Sequence, residues 1–434
     1  MKHAPEKLSK RVFTAASHDL PIVDLYIVTD TGTAHDPKGR EGSLHLCLRA
    51  LRRGTARRTA HEIDALIDRL GAELSTSADP TTSMLHATVI RRNLEPFLDM
   101  MHDIVTAPAL PTHEVAQVAR EIKAEIIDTR DDDRTLAGRH FRRALFEHHP
   151  FGRPSQGTPR SMERLGRDDA RRAWNLSFRR SNVLIAAAGD IRPAELEAFA
   201  ERTLAALPDT RPPERSVPEP VAPRGRRLVL VDKPARTQTQ IYVGGLGSHP
   251  RDRDHMAFTV ANTIFGGTFT ARLMREIRSK RGWSYGASSR LGRDRVRDAW
   301  SMWTFPAAAD APACVALQLK LVERLVEKGV SARELAFARS YLTRSFAFET
   351  DTASKRLWHD LDVRLLDLPK RYFKDYVERV EAVTLDEVNA AIRRRIAPEH
   401  LVITVVATAS EHRAALERGV KGLDSTTVVP FDTD

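Results

Sequence analysis

Two pairs of short apolar runs recur in this chain at nearly one interval. Residues 22–28 (IVDLYIV) and 238–244 (QTQIYVG) carry Tyr26 and Tyr242, 216 positions apart. Residues 182–189 (NVLIAAAG) and 400–406 (HLVITVV) carry Ile185 and Ile403, 218 apart. Offsets that agree over so long a stretch imply an internal duplication. Between the repeats, residues 208–226 hold six prolines and little apolar content. Such a segment continues neither a helix nor a central strand. The expected organisation is a first lobe over 1–207, a linker over 208–226 and a second lobe over 227–434.

Within each half, helical and strand patterns mix. Thr59 and Glu62 form a capping-box pair ahead of Ile63, Leu66, Ile67 and Leu70 at helical spacing, with Gly71 as the stop. Val115, Val118, Ala119, Ile122 and Ile126 make a second stripe, and Ser331/Glu334 and Thr384/Glu387 repeat the capping signal. Strand patterns cover 84–90, 227–231 and 298–305. The order lacks strict β-α-β alternation, so the predicted class is α+β, not a doubly wound parallel sheet.

Composition narrows the function classes. The 434 residues include 68 Lys+Arg, 58 Asp+Glu and two cysteines, for a net charge of +10. A hydrophobic share of 41% supports real cores. Cys47 and Cys314 cannot build a disulfide framework, which fits a reducing compartment. The longest apolar stretches, such as 401–407, are far too short to span a membrane. The first twenty residues show no apolar core of a signal peptide, so the expected location is cytoplasmic. Clusters at Arg52-Arg53, Arg57-Arg58 and Arg393-Arg394-Arg395 lie on helical segments without interleaved aromatics. They read as solvated helix faces, not as a nucleic-acid surface; a bias toward acidic peptides or an acidic partner stays open.

Two segments carry chemistry. Residues 42–55 (GSLHLCLRALRRGT) read bare as an amphipathic helix, with Leu44, Cys47, Leu48 and Leu51 on one face and His45 and Arg49 as i, i+4 neighbours. Residues 265–286 (FGGTFTARLMREIRSKRGWSYG) read as a Gly-Gly turn opening a helix that closes near Gly282, with a strand from Trp283. A phosphate loop is excluded there, since no G-K-[ST] follows. His61 is placed in an exposed first turn, His86 on a strand, His148 and His149 in a Pro-Gly turn, and Cys47 in a core.

Together these segments resemble the M16 metallopeptidases (insulinase, pitrilysin, processing peptidase). The frame G-x-x-H with a later G-T is similar to that family's zinc helix, which carries H-x-x-E-H: two histidines one turn apart hold the metal and the glutamate is its general base. Laid on this sequence, the first ligand position is His45, the base position Leu48, the second ligand position Arg49, and the third-ligand position Glu125, 76 residues beyond Arg49. Leucine accepts no proton, and arginine has no lone pair to give a metal. The resemblance therefore implies no zinc or other cofactor in this chain. Arg49 either pairs with Glu125 as a charge-neutral remnant, or both side chains reach solvent.

The second segment resembles the family pattern G-G-x-F-t-S-R-L-x-x-x-i-R-e-x-x-G-x-x-Y, with Ala271 at the serine position. Its functional Arg and Tyr fall on Arg278 and Tyr285; spacing sets aside Arg275 and Arg281. Residues 26–42, 148–158 and 182–190 also resemble family segments, so the likeness covers nearly the whole chain. It implies two homologous LuxS/metallohydrolase-like lobes, each a mainly antiparallel sheet packed with helices. It implies the non-catalytic subunit of a heterodimeric zinc endopeptidase, whose H-x-x-E-H partner holds the zinc while Arg278 and Tyr285 serve catalysis in trans on unfolded peptides. A scaffold homologue and a subunit dedicated to peptide maturation are the alternatives. Neither nucleic acid nor membrane is an expected partner.

Overall fold

A computed structural model describes residues 10–210 and 216–433. The start of the N-terminal stretch and part of the proline-rich linker fall outside that range. The chain forms two compact units. The first is drawn from Met1–Ile127, Arg153–Val217 and Phe348–Asp367; the second from Asp128–Gly152, Pro218–Ala347 and Leu368–Asp434.

The first unit holds a five-stranded sheet of β1 (Val12–Ala16), β2 (Ile22–Thr29), β3 (Glu73–Ala78), β4 (Ser83–Ile90) and β5 (Val183–Gly189), in the order β1-β5-β2-β4-β3. The second holds β6 (Arg226–Asp232), β7 (Gln240–Leu246), β8 (Ala287–Leu291), β9 (Ala299–Thr304), β10 (Val402–Ala407) and β11 (Leu423–Pro430), in the order β11-β6-β10-β7-β9-β8. Without β11 the two orders are the same. In the first sheet β1 pairs in parallel with β5 and the other pairs are antiparallel; in the second β6 pairs in parallel with both β10 and β11, and the other pairs are antiparallel. The α+β class and the two homologous lobes follow. The duplication also holds at residue level. Tyr26 stands opposite Ala186, and Tyr242 stands opposite Thr404.

The central strands of each sheet are covered on both faces. In the first unit one face packs on the main core, where Leu25, Ile27, Leu85 and Ile185 are fully buried. The other face presents Tyr26, Val28, Leu184 and Ala186 to Leu357, Leu361 and Leu365 of the helix Ala353–Leu365. Tyr26 meets Trp358 edge to face at 5.3 Å, and Asp24 accepts a hydrogen bond from Ser354 at 2.6 Å. In the second unit the matching face, with Val229, Val231 and Val406, packs on Leu136 and Ala137 of the helix Asp133–Phe146, and Tyr242 stacks near Phe141 at 5.8 Å. The covering helix of each unit therefore comes from the other half of the sequence. A two-faced sheet leaves apolar surface in water unless something covers it, at about 1.5–3 kcal/mol per large side chain.

The linker at 208–226 thus separates the two sheets in sequence, while each compact unit also takes one segment from across it. A chain ending at residue 226 lacks the helix Ala353–Leu365. We predict that it binds the dye ANS and unfolds without a sharp transition, and that joining residues 348–367 to it restores cooperative melting. A sharp transition in the shortened chain alone would contradict the assignment.

Candidate functional site

The helix Ser43–Ala50 is fixed at its start by a buried carboxylate. Asp36 accepts hydrogen bonds from the backbone N–H groups of Gly42, at 2.8 Å, and Leu44, at 3.1 Å. Such acceptance satisfies donors that a helix leaves open at its first turn. Gly42 has φ +89, and a Cβ there would come within 2.6 Å of the Gln156 carbonyl oxygen, so glycine is required. Leu44, Leu46, Cys47 and Leu48 are buried, more than the single apolar face that spacing shows. Packing on so many sides fixes His45 and Arg49 in place.

Arg49 makes a forked contact with Glu125. Its Nη1 donates to both carboxylate oxygens, at 3.1 and 2.8 Å, and its Nη2 donates to one, at 3.0 Å. Glu121 approaches Nη2 at 3.7 Å and also accepts from Arg53 at 3.2 Å. Glu121 and Glu125 stand on the helix Thr112–Asp128, which is anchored by the buried Val115, Val118, Ile122 and Ile126. The Arg49 hydrogen bonds hold the Glu125 carboxyl below its usual range. Of the two arrangements open to Arg49, pairing with Glu125 is the one the structure adopts.

His45 is largely enclosed, and its Nε2 has no hydrogen-bond partner among the described residues. Burial, aided by the Arg49 charge, pushes its pKa down to about 4. The ring is neutral at pH 7 and could offer a metal one lone pair. Leu48 is 1% exposed and offers none. Arg49 is a permanent cation at the second ligand position and already occupies the Glu125 carboxylate. A catalytic zinc takes three protein ligands, and these residues do not fit one. Among the described residues, no group of three or more His, Cys, Asp or Glu side chains is arranged to hold a metal.

Beside Arg49 lies a cleft of about 340 Å³ lined by Leu48, Arg49, Arg53, Leu74, Thr76 and Ile104, among others. Leu74 and Thr76 belong to β3, the edge strand of the first sheet.

The second segment departs from its predicted local structure. Gly266 and Gly267 do not open a helix. They end a wide helical turn, Thr263–Gly267, that continues the helix His255–Asn262. A Cβ on Gly266 would meet the Ser289 backbone nitrogen at 2.5 Å, so glycine lets the turn lie against β8. Short helical turns then run over Arg272–Met274 and Arg275–Ser279. The strand begins at Ala287, not Trp283, because Ser284 bonds the Gly286 carbonyl oxygen at 2.6 Å and accepts from the Phe305 N–H at 3.1 Å, closing a turn. Tyr285 therefore stands in a loop, 76% exposed.

Neighbouring cations are bound off. Arg272 forks onto Glu334 with both contacts at 2.7 Å. Lys280 and Arg281 reach Glu276 at 2.6 and 3.0 Å. Arg278 has no carboxylate partner among the described residues. Its guanidinium carbon lies 4.2 Å from the Tyr285 ring centre and 4.6 Å from that of Phe269, itself 67% exposed. Cation–π contacts at such exposure contribute about 0.5–1 kcal/mol each. Phe269 is a site residue that the sequence reading did not single out. Its signal was its place in the G-G-x-F frame, three residues before Arg272.

The other candidates have structural settings. His61 is exposed, and His86 lies on β4 stacked on Tyr26 at 4.5 Å. His148 and His149 precede the turn Pro150–Gly152. Cys47 and Cys314 are buried free thiols. The arginine clusters are paired as well as solvated: Arg52 meets Asp64, Arg57 and Arg58 meet Asp103, and Arg394 and Arg395 meet Asp254, while Arg57 and Arg394 stay mostly exposed. No described helix is long and apolar enough to cross a membrane.

Two sheets of one repeated topology, with a helix at the first edge bearing a histidine and a displaced ligand set, define a metallopeptidase-type fold with an altered metal site. Family models agree. Residues 11–159 match the model described as insulinase (peptidase family M16), and residues 164–342 match the peptidase M16 inactive domain. The chain belongs to the M16 family, as a homologue of the inactive type. Across 96% of both chains it is similar to a solved peptidase M16 inactive domain from Pseudomonas fluorescens, with a TM-score of 0.83 and 22% identity, which speaks for the fold. It is 21% identical over 393 residues, 90% of each chain, to the non-peptidase homolog YmxG of Helicobacter pylori. It is 27% identical over 365 residues, 81% of each chain, to an uncharacterized zinc protease of Mycobacterium tuberculosis.

Two substitutions test the altered site. In a double-mutant cycle, Arg49→Ala and Glu125→Ala should couple by roughly 0.5–1 kcal/mol at low salt, less in high salt, because the pair is partly exposed. Strict additivity in denaturant unfolding would remove the pairing. Arg49→His supplies a third donor beside His45 and Glu125, and calorimetry should then show zinc binding stronger than in the parent chain. Equal zinc affinity in the two would contradict the assignment of Arg49 as the block.

Proposed function

We propose that this chain is the non-catalytic subunit of a heterodimeric M16-type zinc endopeptidase. A homologue bearing H-x-x-E-H is the partner and holds the zinc. This chain lends its peptide-binding surface and presents Arg278 and Tyr285 to the partner's site. The observation that carries the reading is a contrast between two arginines. Arg49 is locked onto Glu125, whereas Arg278 lies against two rings and has no carboxylate partner among the described residues.

The chemistry follows from the Arg278 guanidinium. Peptide hydrolysis builds negative charge on the carbonyl oxygen, and a fixed guanidinium with a phenol O–H can donate to it or to a neighbouring peptide carbonyl. Unfolded peptides suit the edge of β3, where an added strand is read through its backbone. The cleft next to that strand would take a side chain. Two buried thiols without a disulfide suit a cytoplasmic setting.

The reading is tested by producing this chain with an H-x-x-E-H homologue encoded near it and measuring cleavage of an unfolded peptide by each protein and by the mixture. Activity should need both. Arg278→Ala in this chain should lower the turnover of the mixture by about 10²–10³, the usual loss for one such donor, and Tyr285→Phe should act in the same direction. A partner fully active without this chain would end the proposal and favour a scaffold role.

A further inference from the structure

The turn around Arg278 carries more positive charge than it can neutralise. Arg275, Lys280 and Arg281 all draw on Glu276, at 4.0, 2.6 and 3.0 Å. Arg278 draws on no carboxylate among the described residues. Four cations thus share one acid between positions 275 and 281. The nearest cation before them, Arg272, is taken up by Glu334 and adds nothing. The arrangement differs from that at Arg52, Arg57, Arg58 and Arg395, where each cation meets a carboxylate. The side chains of Arg275 and Lys280 are more than half exposed, as are Phe269 and Tyr285.

The guanidinium carbon of Arg278 lies over the Phe269 and Tyr285 rings, at 4.6 and 4.2 Å. A ring accepts no full hydrogen bond in the plane of the group, where the five N–H donors of a guanidinium lie. A planar fork of this kind matches a carboxylate with two parallel hydrogen bonds, which a neutral amide oxygen cannot equal. The surrounding cations raise the local positive potential and favour the same ligand.

We propose that the surface of Phe269, Arg275, Arg278, Lys280, Arg281 and Tyr285 selects peptides that carry a carboxylate, on an acidic side chain or at the C-terminus, over neutral peptides of the same length. Phe269 is a positioning residue that holds the Arg278 fork outward. The inference rests on the reading of Arg278 as a peptide-facing group. Its test is binding to the chain by itself, so it can fail while cleavage by the mixture still depends on Arg278, and the reverse.

Four fluorescent peptides of one unfolded sequence provide the test: glutamate-containing or with glutamine in place of glutamate, each with a free or an amidated C-terminus. Anisotropy titrations should show the peptide richest in carboxylate binding about tenfold more tightly than the fully neutral one, with the advantage shrinking as salt rises. Loss of the advantage on glutamine replacement assigns the side chain as ligand, and loss on amidation assigns the terminus. Equal affinity for all four peptides overturns the proposal. Arg278→Lys keeps the charge but removes the planar fork, so the advantage should fall several-fold. Phe269→Leu should do the same and Phe269→Tyr should restore it. A full advantage retained by folded Arg278→Lys and Arg278→Ala chains would also overturn it.

Discussion

A guanidinium cannot give up its proton, and at position 49 that property governs the rest of the site. Arg49 pairs with Glu125 by three short contacts, so the carboxylate keeps a counter-charge without any metal. His45, one turn earlier, stays neutral because burial and the same cation both oppose its protonation. Leu48, between them, fills a sealed position and has no group that could take a proton from water. General-base action typically contributes about 10²–10⁴ in rate, and none is on offer here. At the positions that the family resemblance gives to a zinc site, this chain carries a closed ion pair.

The scaffold around this pair depends on the duplication. The central strands of both sheets are apolar on two faces, and each half-chain places one of its helices on the sheet of the other. Exchange of the segments 128–152 and 348–367 covers the second face of each. Tyr26 and Tyr242, the residues that mark the repeat, are where the covering helices touch, through Trp358 and Phe141. The two lobes have nonetheless diverged at their edges. In the first, the helix Ser43–Ala50 carries the closed ion pair; in the second, the turn before β8 carries an arginine in contact with two exposed rings.

Much of the fold was legible because its signals are local. The capping pairs Thr59/Glu62, Ser331/Glu334 and Thr384/Glu387 mark helix starts by side-chain chemistry within four residues, and each forms as read. The runs around Tyr26, Ile185, Tyr242 and Ile403 are short and mostly rich in β-branched residues, which favours strands over helices, and each forms a strand. The exchange of helices was not legible, since the match between Leu361 and Val28 is a fact of distant surfaces with no local trace. The Gly-Gly turn misled for a related reason. Gly266 is required by the close passage of Ser289 and not by the start of a helix. At the site, the family resemblance brought Arg49 and Glu125 together but left pairing and solvent exposure as alternatives, and the structure adopts the pair. The stack of Phe269 on Arg278 was not legible, because a loop sets it.

The central claim is that this polypeptide lacks the means to activate water at its own metal positions. The most direct measurement is the zinc content of the purified chain after dialysis against buffer at pH 7, read by mass spectrometry alongside its cleavage of an unfolded peptide. The account predicts far less than one zinc per chain and no cleavage. One tightly held zinc per chain, with proteolysis that a chelator abolishes and added zinc restores, would contradict it.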